Sequence, residues 1–380
     1  MQTPFPMIHW TESGSEFAMR WRSESGFSVP QRVVVGDDRM TADAALRLTS
    51  EGSSILWRGD YHNGRQLLQA MARRLERKPR KPAATLRDAF NLHRQAQSQK
   101  ARLLGMLLLP VEAGHVIPLR RAPDVREACI EAYGPAEEAY VLSLRELLGL
   151  VGAHEWRRNG VPIAALDGER IHPHYGVFSP VRGEYLELVA QAPLPSDILA
   201  FDIGTGTGVL SAILARRGVK EVVATDMQPR ALVCAQDNFE RLGITRQVSL
   251  LQVDLYPPGR APLVVCNPPW LPGRPSSVLE QAVYDPDSRM LKGFLDGLSA
   301  HLAPGGEGWL ILSDFAEHLG LRSREDLLGM IRRAGLEVLG RNDIRSKHPK
   351  STDASDPLHV ARRQEVTSLW RLAAPSPSSR

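Results

Sequence analysis

The sequence predicts an α/β fold: a mostly parallel sheet wrapped by helices in the C-terminal half, preceded by an N-terminal, mainly helical α+β accessory domain. Three observations carry this. Short apolar runs recur with helical stretches between them, as buried parallel strands do. The first run opens directly into a loop with glycine at alternate positions, Asp202-Ile203-Gly204-Thr205-Gly206-Thr207-Gly208. The fourth stops at Asn267-Pro268-Pro269-Trp270, and in open α/β sheets ligands sit beyond the strand ends.

Taken in order, residues 198–201 form the first strand. The glycines after it let the backbone turn tightly and approach a ligand, and a helix follows over 209–217. The second strand, 222–225, ends in Asp226-Met227. Asp226 follows Asp202 by 24 residues, which suits one strand–helix–strand unit with an acid placed to accept from ribose hydroxyls. The third strand, 248–253, ends in Asp254-Leu255-Tyr256. The fourth, 263–266, leads into Asn267. Its two prolines fix the backbone and remove two N–H donors. The Asn267 side-chain oxygen and the Pro268 carbonyl can then point into one small space and accept from an NH₂ group, with Trp270 offering a flat face. Such a site suits a planar amide or an aromatic exocyclic amine.

Residues 271–289 are rich in Pro, Gly and Ser, and read as a mobile flap over the acceptor. A helix over 292–302 is stopped by Pro304-Gly305-Gly306, and 309–312 is a fifth strand. Ser323 caps a helix over 323–334 with Glu325 and Asp326 in its first turn. Residues 337–339 and 366–372 form a closing antiparallel pair, and 373–380 is a disordered tail.

This ordered set resembles the class I S-adenosylmethionine (SAM) methyltransferases, in the branch that methylates amide or exocyclic-amine nitrogen. Within it, Val253-Asp254-Leu255-Tyr256 and Asn267-Pro268-Pro269-Trp270-Leu271-Pro272 are most similar to the release-factor glutamine methyltransferases. The resemblance covers roughly residues 172–372. It implies a seven-stranded Rossmann-like core and S-adenosyl-L-methionine as cofactor. Gly204, Thr205, Gly206 and Gly208 would lie under the cofactor, with Asp202 orienting its ammonium. Asp226 and Met227 would meet the ribose side, and Asp254 and Leu255 the adenine. Asn267, Pro268, Pro269 and Trp270 would be the catalytic set, Asn267 also lying against the cofactor, with no metal. The implied acceptor is a protein glutamine side chain, with translation factors among the candidate proteins. An RNA base, less readily DNA, is the alternative, and a small amine a third. The lead-in Ser179-Pro180-Val181-Arg182-Gly183-Glu184 departs from the family's Pro-Arg-Pro-x-Thr-Glu.

Other readings stand beside these. A nicotinamide dinucleotide loop would want a third glycine where Val209 or Ser211 stands. Asp202 could merely stabilise its loop, Asp226 cap the helix near Pro229, Asp254 cap a turn, and Trp270 fill core. A non-catalytic scaffold on the same fold is the rival of a different class. His172 and His174 lack a third ligand at metal-site spacing, so a polar loop is expected there. Tyr175, Phe178 and Arg182 are candidates for cofactor or substrate contact.

Residues 1–160 are expected to be an accessory, substrate-recognition domain. Helices are predicted over 42–50, 64–77, 85–106 and 136–151, the last opened by Pro135 with a stripe of Tyr140, Leu144, Leu147, Leu148 and Val151. The basic run over 73–81 reads as a solvated linker or a nucleic-acid contact. Residues 161–196 are a connector with a helix over 183–190, and 197–372 the catalytic domain. The chain is 43% hydrophobic and 24% charged with net charge +4, ordinary for a globular protein and permissive of nucleic acid. Three well-separated cysteines argue against a disulfide framework. With no long apolar run and no secretory leader pattern, a cytoplasmic protein with no membrane partner is expected.

Overall fold

The computed structural model describes residues 6–77, 83–275, 279–345 and 353–375. The chain splits into two compact units, Met1–Pro82 with Asn91–Glu155, and Ala83–Phe90 with Trp156–Arg380. No helix among the described residues is long and apolar enough to cross a membrane.

The first unit is built on a six-stranded sheet in the order Met7–Glu12, Ser15–Trp21, Tyr140–Ser143, Leu107–Val111, Ser54–Trp57, Val33–Gly36. The helices Ala42–Ser50 and Tyr61–Glu76 pack together beside it. Residues 136–151 are not one helix: Tyr140–Ser143 is a fully buried strand, antiparallel to Leu107–Val111 and parallel to Ser15–Trp21, and the helix runs Leu144–Asn159. Tyr-Val-Leu-Ser satisfies a helical stripe and a buried strand equally, and only the waiting sheet neighbours decide.

The second unit holds a seven-stranded sheet in the order Val248–Gln252, Glu221–Asp226, Leu199–Ile203, Ala261–Cys266, Leu302–Ser313, Val366–Ala373, Glu337–Arg345. The first five pair in parallel, and Val366–Ala373 runs antiparallel to both its neighbours, Leu302–Ser313 and Glu337–Arg345. Alternation sorts the side chains onto two faces. Ala200, Leu263, Val265, Trp309 and Ile311 face the core shared with the helices Glu184–Gln191, Val209–Arg216 and Pro229–Leu242. Phe201, Ile203, Val264, Cys266, Leu310 and Leu312 face the helices Arg289–His301 and Arg324–Arg333. Burial on both faces is why these strands read as unbroken apolar runs.

Residues expected to be a connector belong to this core: Val161, Ile163, Leu166 and Ile171 are all buried in it. Ser323 and Asp326 form a reciprocal capping box at Arg324–Arg333. Pro304-Gly305-Gly306 lies inside the 302–313 strand, which begins directly after the helix ending at His301. A Cβ on Gly306 would come within 2.9 Å of the Pro262 carbonyl, so glycine here lets two backbones approach. In the predicted flap, Leu271–Pro272 pairs with Tyr284–Asp285, and residues 276–278 lie outside the described set. The expected tail lies outside it from residue 376 onward, as do residues 78–81 of the basic run.

Candidate cofactor and acceptor site

Register brings the site together. Cys266 lies level with Ile203 in neighbouring parallel strands, so the glycine loop and Asn267 leave the sheet side by side. Adjacent strands lie about 5 Å apart.

Asp202 is fully buried at the end of its strand. One carboxylate oxygen, Oδ2, accepts from Thr205 Oγ1 at 2.7 Å, Ser211 Oγ at 2.6 Å and Ser211 N at 3.1 Å. The other, Oδ1, is buried with no hydrogen-bond partner. Burial pushes this carboxyl above its ordinary range, while the Ser211 and Thr205 bonds pull the other way. Asp202 thus stabilises its loop with one oxygen and leaves the other for a donor. An orphaned, buried carboxylate oxygen fits a ligand ammonium.

Gly204, Gly206 and Gly208 all hold positive φ, at 72°, 56° and 81°. A Cβ on Gly208 would stand 2.4 Å from Phe239, whereas one on Gly206 would meet nothing within 4 Å. The loop is therefore packed beneath and open above. Asp226 ties it to the second strand: Oδ2 accepts from Gly206 N at 3.1 Å and Oδ1 from Gln228 N at 2.9 Å. Burial raises the Asp226 carboxyl, against the pull of these amide donors. Met227 is half exposed beside it.

Asp254 is exposed and ion-paired with Arg289. Leu255 holds a left-handed backbone, φ 72°, which costs a branched residue about 1–2 kcal/mol. Its carbonyl accepts from Thr225 Oγ1 at 2.6 Å, and its side chain fills the space beside Gly293. Tyr256 stacks on His301 with ring centres 4.2 Å apart and donates its hydroxyl to the Phe294 carbonyl, so it is a packing residue.

Asn267 is half-buried, and its Oδ1 accepts from the Trp270 indole Nε1 at 2.9 Å. Beyond the flat face expected of it, Trp270 supplies a tether that holds the Asn267 amide in one orientation. A carbonyl oxygen has two lone pairs, so the Asn267 oxygen keeps capacity for a second donor. The indole meets Tyr185 edge-on at 6.5 Å and lies 5.6 Å from the Arg182 guanidinium. Arg182 in turn donates to buried Glu365 at 3.2 Å, which accepts from Ser313 at 2.8 Å. Burial pushes the Cys266 thiol well above its usual value, the state of an inert thiol.

The lead-in is anchored beneath the loop. Fully buried Asn238 accepts from His172 N at 2.7 Å and donates to the Thr207 carbonyl at 3.0 Å. His174 Nε2 and Arg157 both meet Asp237 at 2.9 Å, which accounts for that histidine without a metal. The Tyr175 ring lies 5.5 Å from the Arg230 guanidinium. Among the described residues, no three His, Cys, Asp or Glu side chains cluster as metal ligands would. Sequence reading missed Ser211, Thr225, Tyr185 and Asn238. Each sits inside a helix or strand, where nothing in the local pattern marks it.

Residues 170–323 match the family model described as Methyltransferase small domain. This stretch is a methyltransferase domain. It belongs to the class I, S-adenosyl-L-methionine-dependent type, and it is similar to release factor glutamine methyltransferases. The release factor glutamine methyltransferase of Moorella thermoacetica is 38% identical over 29% of this chain and 41% of its own length. The ribosomal protein L11 methyltransferase of Citrifermentans bemidjiense is 37% identical over 32% of each chain. The tRNA1(Val) (adenine(37)-N6)-methyltransferase of Shewanella loihica is 30% identical over 35% of this chain and 59% of its own length. The match to each falls short of two thirds of the relative's length.

Proposed function

We propose that the chain is a SAM-dependent N-methyltransferase whose acceptor is a planar amide nitrogen, the glutamine side chain of a protein, a translation factor among the candidates. The observation that carries this is the level register of Cys266 and Ile203, which sets the Asn267–Pro268 acceptors beside the glycine loop and the orphaned Asp202 oxygen. On this reading Asp202 takes the cofactor ammonium, and the open face at Gly206 admits the methionine and ribose. Asp226 and Met227 meet the ribose side. Asp254 and Leu255 serve the adenine, for which Asp254 exchanges part of its pairing with Arg289.

The cofactor supplies a sulfonium methyl group. The chain's own residues supply orientation. Asn267 Oδ1 and the Pro268 carbonyl accept both N–H groups of the acceptor, with Pro269 stiffening the turn and Trp270 fixing the Asn267 rotamer. An amide lone pair is delocalised, and two acceptors on its hydrogens favour the pyramidal nitrogen that forms as charge develops. Holding it in line with the methyl group contributes several kcal/mol more. The proton leaves after the nitrogen has become cationic, so orientation rather than a strong base is the residues' task.

A second reading, a base nitrogen in RNA, draws support from the similarity to a tRNA adenine-N6 methyltransferase. Incubating cell lysate with tritiated-methyl SAM and the protein separates the two. Label removed by protease supports a protein acceptor, label removed by nuclease supports the base, and no label above the Asn267→Ala control contradicts both.

A further inference from the structure

The first unit carries a feature that the methyltransferase domain does not use. The helix Tyr61–Glu76 presents His62, Arg65, Gln66 and Gln69 on one face, at the spacing that stacks side chains along a helix. With Arg121 they line a cavity of about 320 Å³ open to solvent. Every lining side chain is a hydrogen-bond donor and none is a carboxylate. Arg73 continues the stripe one turn beyond Gln69 and is exposed. From His62 to Arg73 the stripe spans roughly 16 Å at the helical rise.

The cavity is built rather than incidental. Asp60 caps the helix, accepting from His62 N at 2.9 Å, and grips Arg121 through Nε at 2.6 Å and Nη2 at 2.8 Å. The Arg121 guanidinium holds the Asp60 carboxyl below its ordinary range. The loop is pinned again by Tyr61 N donating to the Arg120 carbonyl at 3.0 Å. Buried Trp57 packs where Gly64 has no Cβ and donates to the Asp60 carbonyl at 3.0 Å. The nearby acids are engaged: Asp60 is buried against Arg121, and Asp38 accepts from Asp60 N and Asn63 Nδ2. Within the cavity the Arg65 Nε is buried with no hydrogen-bond partner.

We infer that this helix face binds RNA through its phosphates, with the cavity seating one phosphate and the line from His62 to Arg73 tracking the strand. Guanidinium groups recognise phosphate oxygens through paired donors, and carboxamides and imidazole add donors without a net negative charge. A stripe of several spaced donors suits a repeating polyanion better than one free phosphate. The inference rests on the first unit alone and is independent of the acceptor reading.

The test is fluorescence anisotropy of the full chain with a labelled 20-nucleotide single-stranded RNA, at several salt concentrations. Arg65→Gln/Arg73→Gln is expected to weaken binding roughly tenfold or more. It should also lower the slope of log K against log salt by about 1.5, for two phosphates. Arg65→Lys/Arg73→Lys should restore most of the binding, and the melting temperature should stay unchanged in both. The inference is overturned if the glutamine variant binds RNA as the parent does. It is equally overturned if RNA fails to bind, or if poly-glutamate competes on equal terms, which would make the partner an acidic protein. SAM binding measured on the same samples keeps this failure separate from any failure of the methyltransferase reading.

Discussion

Asp202 divides its work between two oxygens, and the division predicts a trade-off. Oδ2 closes the loop through Thr205 and Ser211, while Oδ1 is buried without a partner. Burial raises the carboxyl, so the folded chain holds this proton more tightly than the unfolded one. The stabilising contribution is then fully present below the unfolded value and lost as pH rises through the folded one. Asp202→Asn keeps an acceptor for the loop and removes the ionised form. Its melting temperature without cofactor should fall less than the parent's between about pH 4 and pH 7, and SAM affinity should drop roughly tenfold or more. Scanning calorimetry at both pH values, with a SAM titration, checks both halves. Trp270→Phe makes the companion case. It keeps a ring between Tyr185 and Arg182 but removes the donor to Asn267. Methyl transfer should fall about tenfold with SAM affinity unchanged; a loss of SAM affinity instead would show that the tryptophan serves the cofactor.

At the scale of elements, the glycine loop separates packing from binding. Gly208→Ala forces a Cβ to 2.4 Å from Phe239 at φ 81° and should cost about 2–4 kcal/mol of stability. Gly206→Ala meets open space and should cost only about 1 kcal/mol, yet it should block most SAM binding because that space is the ligand's. Denaturant melts and cofactor titration of the two variants should give opposite orders of severity. The same loop shows what sequence reveals. Buried parallel strands and their terminal Asp202, Asp226 and Asn267 were readable, because apolar runs and fixed backbone chemistry are local signals. The strand Tyr140–Ser143 was not, because so short a run, Tyr-Val-Leu-Ser, fits either period until the sheet is known. Pro304-Gly305-Gly306 read as a stop, yet it lies within a strand where glycine lets the neighbouring backbone close in. The Trp270–Asn267 bond was also invisible, since a motif names the ring and not the direction of its N–H.

For the whole molecule, a ligand that binds only the folded domain adds stability by mass action. SAM at about a hundred times its Kd should contribute about 2.7 kcal/mol and raise the melting transition of the second unit by roughly 5–10 °C. The first unit's transition should not move. Its sheet and its basic helix face form a separate body of contacts, so cofactor binding and RNA binding should be lost in different variants.

The central claim is that cofactor and acceptor are held by different residues on neighbouring strand tips. Isothermal titration of SAM into the parent chain, Asp226→Ala and Asn267→Ala tests it most directly. The parent should show one site, Asp226→Ala binding weakened at least about tenfold, and Asn267→Ala nearly parental binding with methyl transfer abolished. No binding to the parent at submillimolar SAM, or equal loss of affinity in both variants, would contradict it.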